Sequence, residues 1–160
     1  MSSSAKKIIP IEGKAQEATR LLRADHKLVN ELFEQFEAAR SPAKKQSLAK
    51  EICTELTIHA QIEEEIFYPA IEKVLKDKTL VPEAKVEHET LKNLIVQIES
   101  ESPGTELYDA KVKVLSEYVK HHVKEEQNEI FPKVKESKLD LIELGGRLLA
   151  RKAELKTAAF

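Results

Sequence analysis

A histidine followed four residues later by a glutamate occurs twice in this 160-residue chain, and the two copies lie 63 residues apart. The first copy is His59 and Glu63, the second is His122 and Glu126, and each glutamate precedes a proline by six residues. Residues four apart lie on one face of a helix, one turn above each other. Each copy therefore predicts a helix that presents an imidazole and a carboxylate side by side.

A further histidine precedes each copy, and the similarity extends beyond these residues. His26 and His88 stand 62 residues apart, and HKLVNELFEQFEAARSP around the first aligns with HETLKNLIVQIESESP around the second. A period this long, met twice, fits two copies of a helix hairpin better than a solenoid repeat. We therefore predict an all-α fold: an up-down four-helix bundle made from a duplicated helix hairpin, followed by a short C-terminal fifth helix.

Composition narrows the class of protein. Charged residues make up 34% of the chain with a net charge of −2, so we expect no nucleic-acid partner. There is no apolar run near the length of a membrane span, and the brief apolar run at the start does not fit a signal peptide. Cys53 is the single cysteine, which we interpret as a small core residue in a reducing compartment. We expect a cytoplasmic protein that is a monomer or a weak dimer.

Apolar periodicity divides the chain into a flexible N-terminal arm at 1–13, the bundle at 14–136 and a C-terminal helix at 137–160 that packs on the bundle. Ser41 and Pro42 fit a helix cap followed by a proline at the first helical position. We place the five helices at about 14–39, from 42, from about 82, after 104 and at about 139–156.

Two pairs of residues mark irregular points in these helices. Pro69 and Pro132 occupy equivalent positions, and each is expected to kink its helix or end the regular part of it. Gly145 and Gly146 cost the fifth helix about 1 kcal/mol each relative to alanine, so a break or tight packing is expected there.

Six polar side chains fall within the apolar stripes of the predicted helices. A buried carboxylate needs strong partners, because its desolvation costs several kcal/mol. A core histidine is often only hydrogen-bonded, but a duplicated set of four is hard to explain that way. Two imidazoles and one carboxylate per repeat form a ligand set typical of non-haem iron. The candidate metal ligands are His26, His59, Glu63, His88, His122 and Glu126.

Other candidate ligands carry weaker signals. His121 lies about 100° around its helix from His122 and has Ile58 as its counterpart, so we interpret it as peripheral. Tyr118 lies one turn before His122 and is a candidate further ligand, as is its counterpart Glu55. For Tyr118, a core aromatic with a hydrogen-bonded hydroxyl is the simpler interpretation. The zinc-protease motif, a structural-zinc cysteine set and the Glu-x-x-His motif of ferritin-like bundles are all missing from the sequence.

Over roughly residues 21–135 the chain resembles the hemerythrin-like proteins, also called the HHE cation-binding family. The resemblance implies a centre of two iron ions joined by an oxo or hydroxo group. It assigns His26 and His59 to one iron, His88 and His122 to the other, and Glu63 and Glu126 to the bridge between them. With this set each iron keeps one open coordination position, where a small molecule could react.

The oxygen-carrying hemerythrins place a fifth histidine four residues from the one in the third helix. Here that position is Lys92, or Ala84 in the other direction. The chain is thus more similar to members with four histidines and two glutamates, which handle peroxide, repair nitrosative damage or sense iron or oxygen. We expect reaction with peroxide, O2 or NO in oxidative or nitrosative stress protection, with catalase- or peroxidase-like turnover as an open question. The alternative is non-enzymatic binding, storage or sensing of O2, NO or iron.

Overall fold

The computed structural model describes residues 17–159. The predicted arm at 1–13 and the predicted start of the first helix at 14–16 lie outside these residues. Within 17–159 the chain is helical without strands, which confirms the all-α prediction. The helices are α1 (Ala18–Ala38), α2 (Pro42–Ile62), α3 (Tyr68–Glu72), α4 (Leu80–Glu99), α5 (Glu106–Glu125), α6 (Phe131–Glu136) and α7 (Leu141–Ala159). Two π-helical turns, π1 (Glu63–Phe67) and π2 (Glu126–Ile130), continue α2 into α3 and α5 into α6.

The four helices α1, α2, α4 and α5 form the bundle. Helix α1 packs on α2 and helix α4 packs on α5, so each repeat is a helix hairpin as predicted. Contacts of α2 with α4 and of α1 with α5 join the two hairpins into one bundle. Helix α7 lies against α1, α2 and π1, which confirms the predicted fifth helix.

The helix ends follow their sequence signals. Ser41 caps α2 by accepting a hydrogen bond from the Lys44 backbone N–H, with Pro42 in the first turn, as predicted. Thr105 caps α5 in the same way by accepting from the Tyr108 N–H. Gly104, just before this cap, has a φ of +86°, and a Cβ there would lie 3.0 Å from the Pro42 side chain. The loop between α4 and α5 thus packs against the start of α2.

The two prolines coincide with the π turns. A proline lacks an N–H and its ring clashes with the carbonyl four residues earlier in a regular α-helix. Before Pro69 the Tyr68 N–H instead donates to the Glu63 carbonyl, five residues back, and the Phe131 N–H before Pro132 donates to Glu126 in the same way. The regular helix therefore ends where each candidate glutamate stands, and single π turns of this kind are frequent at functional sites.

The apolar interior consists of two clusters with a polar layer at their junction. On each of the four bundle helices α1, α2, α4 and α5, a buried histidine separates residues of one cluster from residues of the other. The flanking pairs are Leu22 and Val29 around His26, Leu56 and Ile62 around His59, Ala84 and Leu91 around His88, and Val119 and Ile130 around His122. The fold therefore places all four imidazoles at one level of the bundle.

Helix α7 runs without a break through Gly145 and Gly146. Gly145 is buried beside Leu144 and Leu148, which belong to the same apolar cluster as Leu22 and Ile62. Of the two expectations for this glycine pair, the structure shows the packed helix rather than the break. None of the helices in the described range combines the length and apolarity required to cross a membrane.

Cys53 is 2% exposed and lies in the same apolar cluster as Val29 and Leu56. Burial, together with the nearby Glu99 carboxylate, raises the pKa of its thiol to about 12. The thiolate is the reactive form, so we expect the folded protein to react slowly with an aromatic disulfide reagent between about pH 7 and 9. In urea-unfolded protein the rate should rise steeply with pH, because a free thiol ionises near about 8.5. Equal rates for folded and unfolded protein at pH 8 would contradict this burial.

Candidate metal centre

The structure brings the six predicted ligands together as two adjoining groups of buried side chains. Within each group the candidate ligand atoms lie within 4.8 Å of one another. The imidazoles of His26 and His59 form one pair with ring centres 5.0 Å apart, and those of His88 and His122 form a second pair at 4.9 Å. Glu63 belongs to both groups.

Each carboxylate directs one oxygen toward each histidine pair. For Glu63, Oε2 lies 3.3 Å from His59 Nε2, and Oε1 lies 3.1 Å from His88 Nε2. For Glu126, Oε1 lies 3.1 Å from His26 Nε2, and Oε2 lies 3.7 Å from His122 Nε2. Both glutamates thus span the two pairs, which is the arrangement that a carboxylate bridge between two ions requires.

All four imidazoles use their Nδ1 atoms to bind acceptors at the periphery. The N–O distances are 2.8 Å for His26 to Gln127, 2.8 Å for His59 to Asp25, 2.7 Å for His88 to Glu64 and 2.6 Å for His122 to Glu87. An acceptor at Nδ1 holds the proton there and fixes the ring so that the Nε2 lone pair faces inward. The four Nε2 atoms are therefore oriented as ligands.

The interior atoms of this cluster lack enough hydrogen-bond donors of their own. His59 Nε2 and Glu63 Oε2 are buried without a hydrogen-bond partner among the described residues. His88 Nε2 and His122 Nε2 approach to 3.3 Å. Buried polar atoms normally have partners. Two cations between the histidine pairs and the carboxylates would supply them, so the residues present fit a pair of metal ions.

The pKa values of His59, His122 and Glu63 also indicate that this site favours positive charge beside the carboxylates. Burial lowers the pKa of His59, but Glu63 and Asp25 outweigh it and hold that pKa well above its usual value. Burial also opposes the charged form of His122, yet the nearby carboxylates, Glu63 and Glu87 first, raise its pKa to about 10. Burial raises the pKa of Glu63, whereas the imidazoles around it, His59 first, hold it well below its usual value. Protons and metal ions therefore compete for these imidazoles.

The two halves of the centre differ at the residue before each proline. Tyr68 donates a hydrogen bond of 2.6 Å to Glu126 Oε2, and its hydroxyl lies 3.2 Å from Glu63 Oε1 and 3.4 Å from His88 Nε2. Its counterpart Phe131 stacks on His26, with ring centres 6.1 Å apart. Burial and the two carboxylates raise the pKa of Tyr68 well above its usual value, so the hydroxyl keeps its proton in this arrangement.

The sequence analysis missed Tyr68 for a geometric reason. In a regular α-helix, a residue five positions after Glu63 would lie about 140° around the axis from it. The π turn closes its hydrogen bond between these two residues and places Tyr68 over Glu63. The available signal was the tyrosine directly before Pro69, where the other repeat has phenylalanine.

The remaining candidates lie outside this cluster. Tyr118 is 48% exposed at the surface of α5. Glu55 pairs with Lys156 of α7, with Nζ and Oε2 3.1 Å apart. The His121 imidazole is 62% exposed and lies 3.7 Å from Glu125, in agreement with a peripheral position.

Two lysines support the peripheral acceptors. Lys92, one of the two positions compared above with the fifth histidine of the oxygen carriers, pairs with Glu64, with Nζ and Oε1 2.8 Å apart. Glu64 in turn accepts from His88. Lys152 of α7 pairs with Asp25, the acceptor of the α2 imidazole. The fifth helix therefore takes part in holding the centre.

Among residues 17–159, openings of three kinds adjoin the cluster. A small apolar cavity of about 20 Å³ touches all four histidine rings and is otherwise lined mainly by Val29, Leu56, Ala60, Leu91, Val119 and Val123. That volume holds roughly one water-sized molecule. A groove between α4 and α5 reaches His122 and Glu126, and its acidic lining comprises Asp77, Glu83, Glu87, Glu125 and Glu129. A third groove, between α1 and α5, reaches His26.

Comparison with known proteins agrees with this geometry. The sequence matches the hemerythrin HHE cation-binding domain over residues 17–134, and the chain therefore belongs to that family. A DNA nickase of Nostoc sp. (strain PCC 7120 / SAG 25.82 / UTEX 2576) is 30% identical over 115 residues, which are 72% of this chain and 32% of the relative. The chain thus spans about a third of that protein.

A solved structure shows the same fold. The crystal structure of a hemerythrin HHE cation-binding domain-containing protein from Mycobacterium kansasii superposes with a TM-score of 0.78. The match covers 89% of each chain at 24% sequence identity.

We expect Tyr68→Phe to lower the free energy of unfolding by about 1–3 kcal/mol, because buried carboxylate oxygens lose a hydrogen-bond donor. Tyr118→Phe removes the same atom from an exposed side chain and should change stability by less than about 0.5 kcal/mol. Urea denaturation of both variants measures the difference. Equal losses would show that the Tyr68 hydroxyl does not support the cluster.

Proposed function

We propose that this HHE-domain protein holds two iron ions and reacts with a small oxidant, namely peroxide, O2 or NO, in oxidative or nitrosative stress protection. His26 and His59 would hold one ion, His88 and His122 the other, and Glu63 and Glu126 would bridge them. The observation that carries the proposal is the inward convergence of four Nε2 atoms on two spanning carboxylates. Imidazole and carboxylate ligands of this kind suit non-haem iron.

When bound, the two ions supply Lewis-acid and one-electron chemistry. The side chains of the protein prepare the site for it. The Nδ1 acceptors hold each imidazole in one orientation, and Lys92 and Lys152 hold two of those acceptors. Tyr68 keeps a proton at its hydroxyl, 2.6 Å from Glu126 Oε2 and next to the second histidine pair.

The size of the apolar cavity supports a small reactant. With about 20 Å³ against the four histidine rings, it has room for roughly one water-sized molecule, which favours a small reactant over a bulky substrate. The nicking activity named for the Nostoc relative is not carried over to this chain, because the match spans about a third of that protein.

Metal analysis with an optical spectrum tests the proposal, followed by peroxide and NO titrations. We expect about two iron atoms per chain and near-ultraviolet ligand-to-metal absorption bands, because each histidine pair and its carboxylates form one ion site. Peroxide or NO should be consumed by reaction at the centre. Stoichiometric tetrahedral zinc in protein made with ample iron would contradict the assignment. Reversible binding without consumption of either oxidant would favour the storage or sensing alternative.

Glu63→Ala and Glu126→Ala should each lose at least one of the two metal ions, because each carboxylate spans both pairs. The melting temperature should fall as well, since metal bound only to the folded state stabilises it by mass action. Glu125→Ala is the matched control for Glu126→Ala, and His121→Ala is a second control; both should keep two ions. A Glu63→Ala protein with two ions and an unchanged melting temperature would refute the bridging role.

A further inference from the structure

The groove between α1 and α5 carries a charge that the metal centre does not explain. Its volume is about 380 Å³, far more than a diatomic molecule needs. Four of its described lining residues are cationic and none is anionic. The cations are Arg23 and Lys27 on α1 and Lys120 and Lys124 on α5. In a chain with a net charge of −2, this is a local concentration of positive charge.

These four cations are free to bind a ligand as far as residues 17–159 are concerned. None of them lies within 4.0 Å of a carboxylate oxygen in that range. The Arg23 guanidinium is held over the Phe131 ring, 5.4 Å from its centre, by a cation–π contact. Phe131 also stacks on His26, so this contact places Arg23 next to the His26 side of the metal centre.

The inner end of the groove borders the candidate metal centre. His26 and Gln127 both line it, and Gln127 accepts the His26 Nδ1–H at 2.8 Å. Phe33, Val119 and Val123 form its apolar part. A ligand in the groove would therefore lie one imidazole ring away from the buried carboxylates.

The charged residues on the surfaces next to the groove between α1 and α5 favour a compact ligand over an extended one. The next depression along the same helices is lined by the acids Glu34, Glu37 and Asp109 and by the lysines Lys45, Lys113 and Lys120, so its charged lining residues carry no net positive charge. Glu125 and Glu129 line the groove on the opposite face of α5. An extended polyanion would run past the groove onto surfaces that carry carboxylates, whereas a compact anion can lie against the groove itself, whose described lining has four cations and no anionic side chain.

We propose that this groove binds a compact oxyanion, such as a phosphate, nitrate or small carboxylate group, beside His26. The cations raise the local concentration of anions at this face of the protein. The binding requires no metal ion, so it is independent of the iron chemistry proposed above.

Inorganic phosphate is the probe, titrated at constant ionic strength into the full-length, ¹⁵N-labelled protein as purified and after chelation of metal. We expect saturable amide shifts in segments 23–30 and 119–128. The chelated sample separates binding in the groove from binding at the centre. Lys120→Gln with Lys124→Gln should weaken phosphate binding about fivefold, as expected for two exposed charges.

Lys73→Gln with Lys76→Gln is the matched control, because it removes the same charge from exposed residues that are not among those lining the groove. It should keep the parent affinity. Lys27→Gln serves as a second test if the Lys120 and Lys124 variant does not fold. Equal weakening in the control, or no saturable shift in the two segments, would overturn the proposal. So would a single-stranded oligonucleotide that shifts these amides when phosphate does not.

Discussion

Two buried carboxylates, Glu63 and Glu126, set the central constraint on this fold. Both are essentially inaccessible to solvent, and carboxylates in that environment need compensating positive charge. His59 and His122 have raised pKa values beside these carboxylates, and all four imidazoles direct their Nε2 atoms at the carboxylate oxygens. The peripheral acceptors at Nδ1 then become necessary, because they determine which nitrogen of each ring faces inward.

The two helix hairpins meet this constraint with the same local arrangement of side chains and backbone. Each repeat needs a histidine and a glutamate one turn apart, followed by a proline that the helix must accommodate. The π turn satisfies the backbone before Pro69 and Pro132 and begins at the glutamate in both copies. Backbone geometry and side-chain placement are thus linked, since the turn that relieves the proline also sets the residue that packs over the carboxylate.

Much of the fold follows from the sequence because its signals are local and regular. The 63-residue duplication, the α2 cap at Ser41 and the fifth helix were predicted from periodicity and capping, and the structure has all three. The same periodicity predicted that the six candidate ligands face one interior, and the structure brings them together. Helical spacing suffices there, because each histidine lies in the regular part of its helix.

Two tyrosines show where helical spacing stops being sufficient. Tyr118 is four residues from His122, but it lies about 40° from it on the side away from Leu115 and Val119, so the buried stripe leaves it at the surface. Tyr68 enters the interior through the π turn, which a regular spacing of 3.6 residues per turn does not include. The partners of Lys92 and Lys152 lie on other helices, so spacing within one helix could not reveal them.

The duplication makes the candidate ligands symmetric but leaves their surroundings different. The second histidine pair has the Tyr68 hydroxyl and an acidic groove that reaches His122. The first pair has Phe131 stacked on His26 and a basic groove outside it. Fields of opposite sign on the two sides of α5 attract solutes of opposite charge. Two metal positions with the same ligand types would therefore differ in which molecules reach them, and this difference arises from residues that sequence symmetry does not constrain.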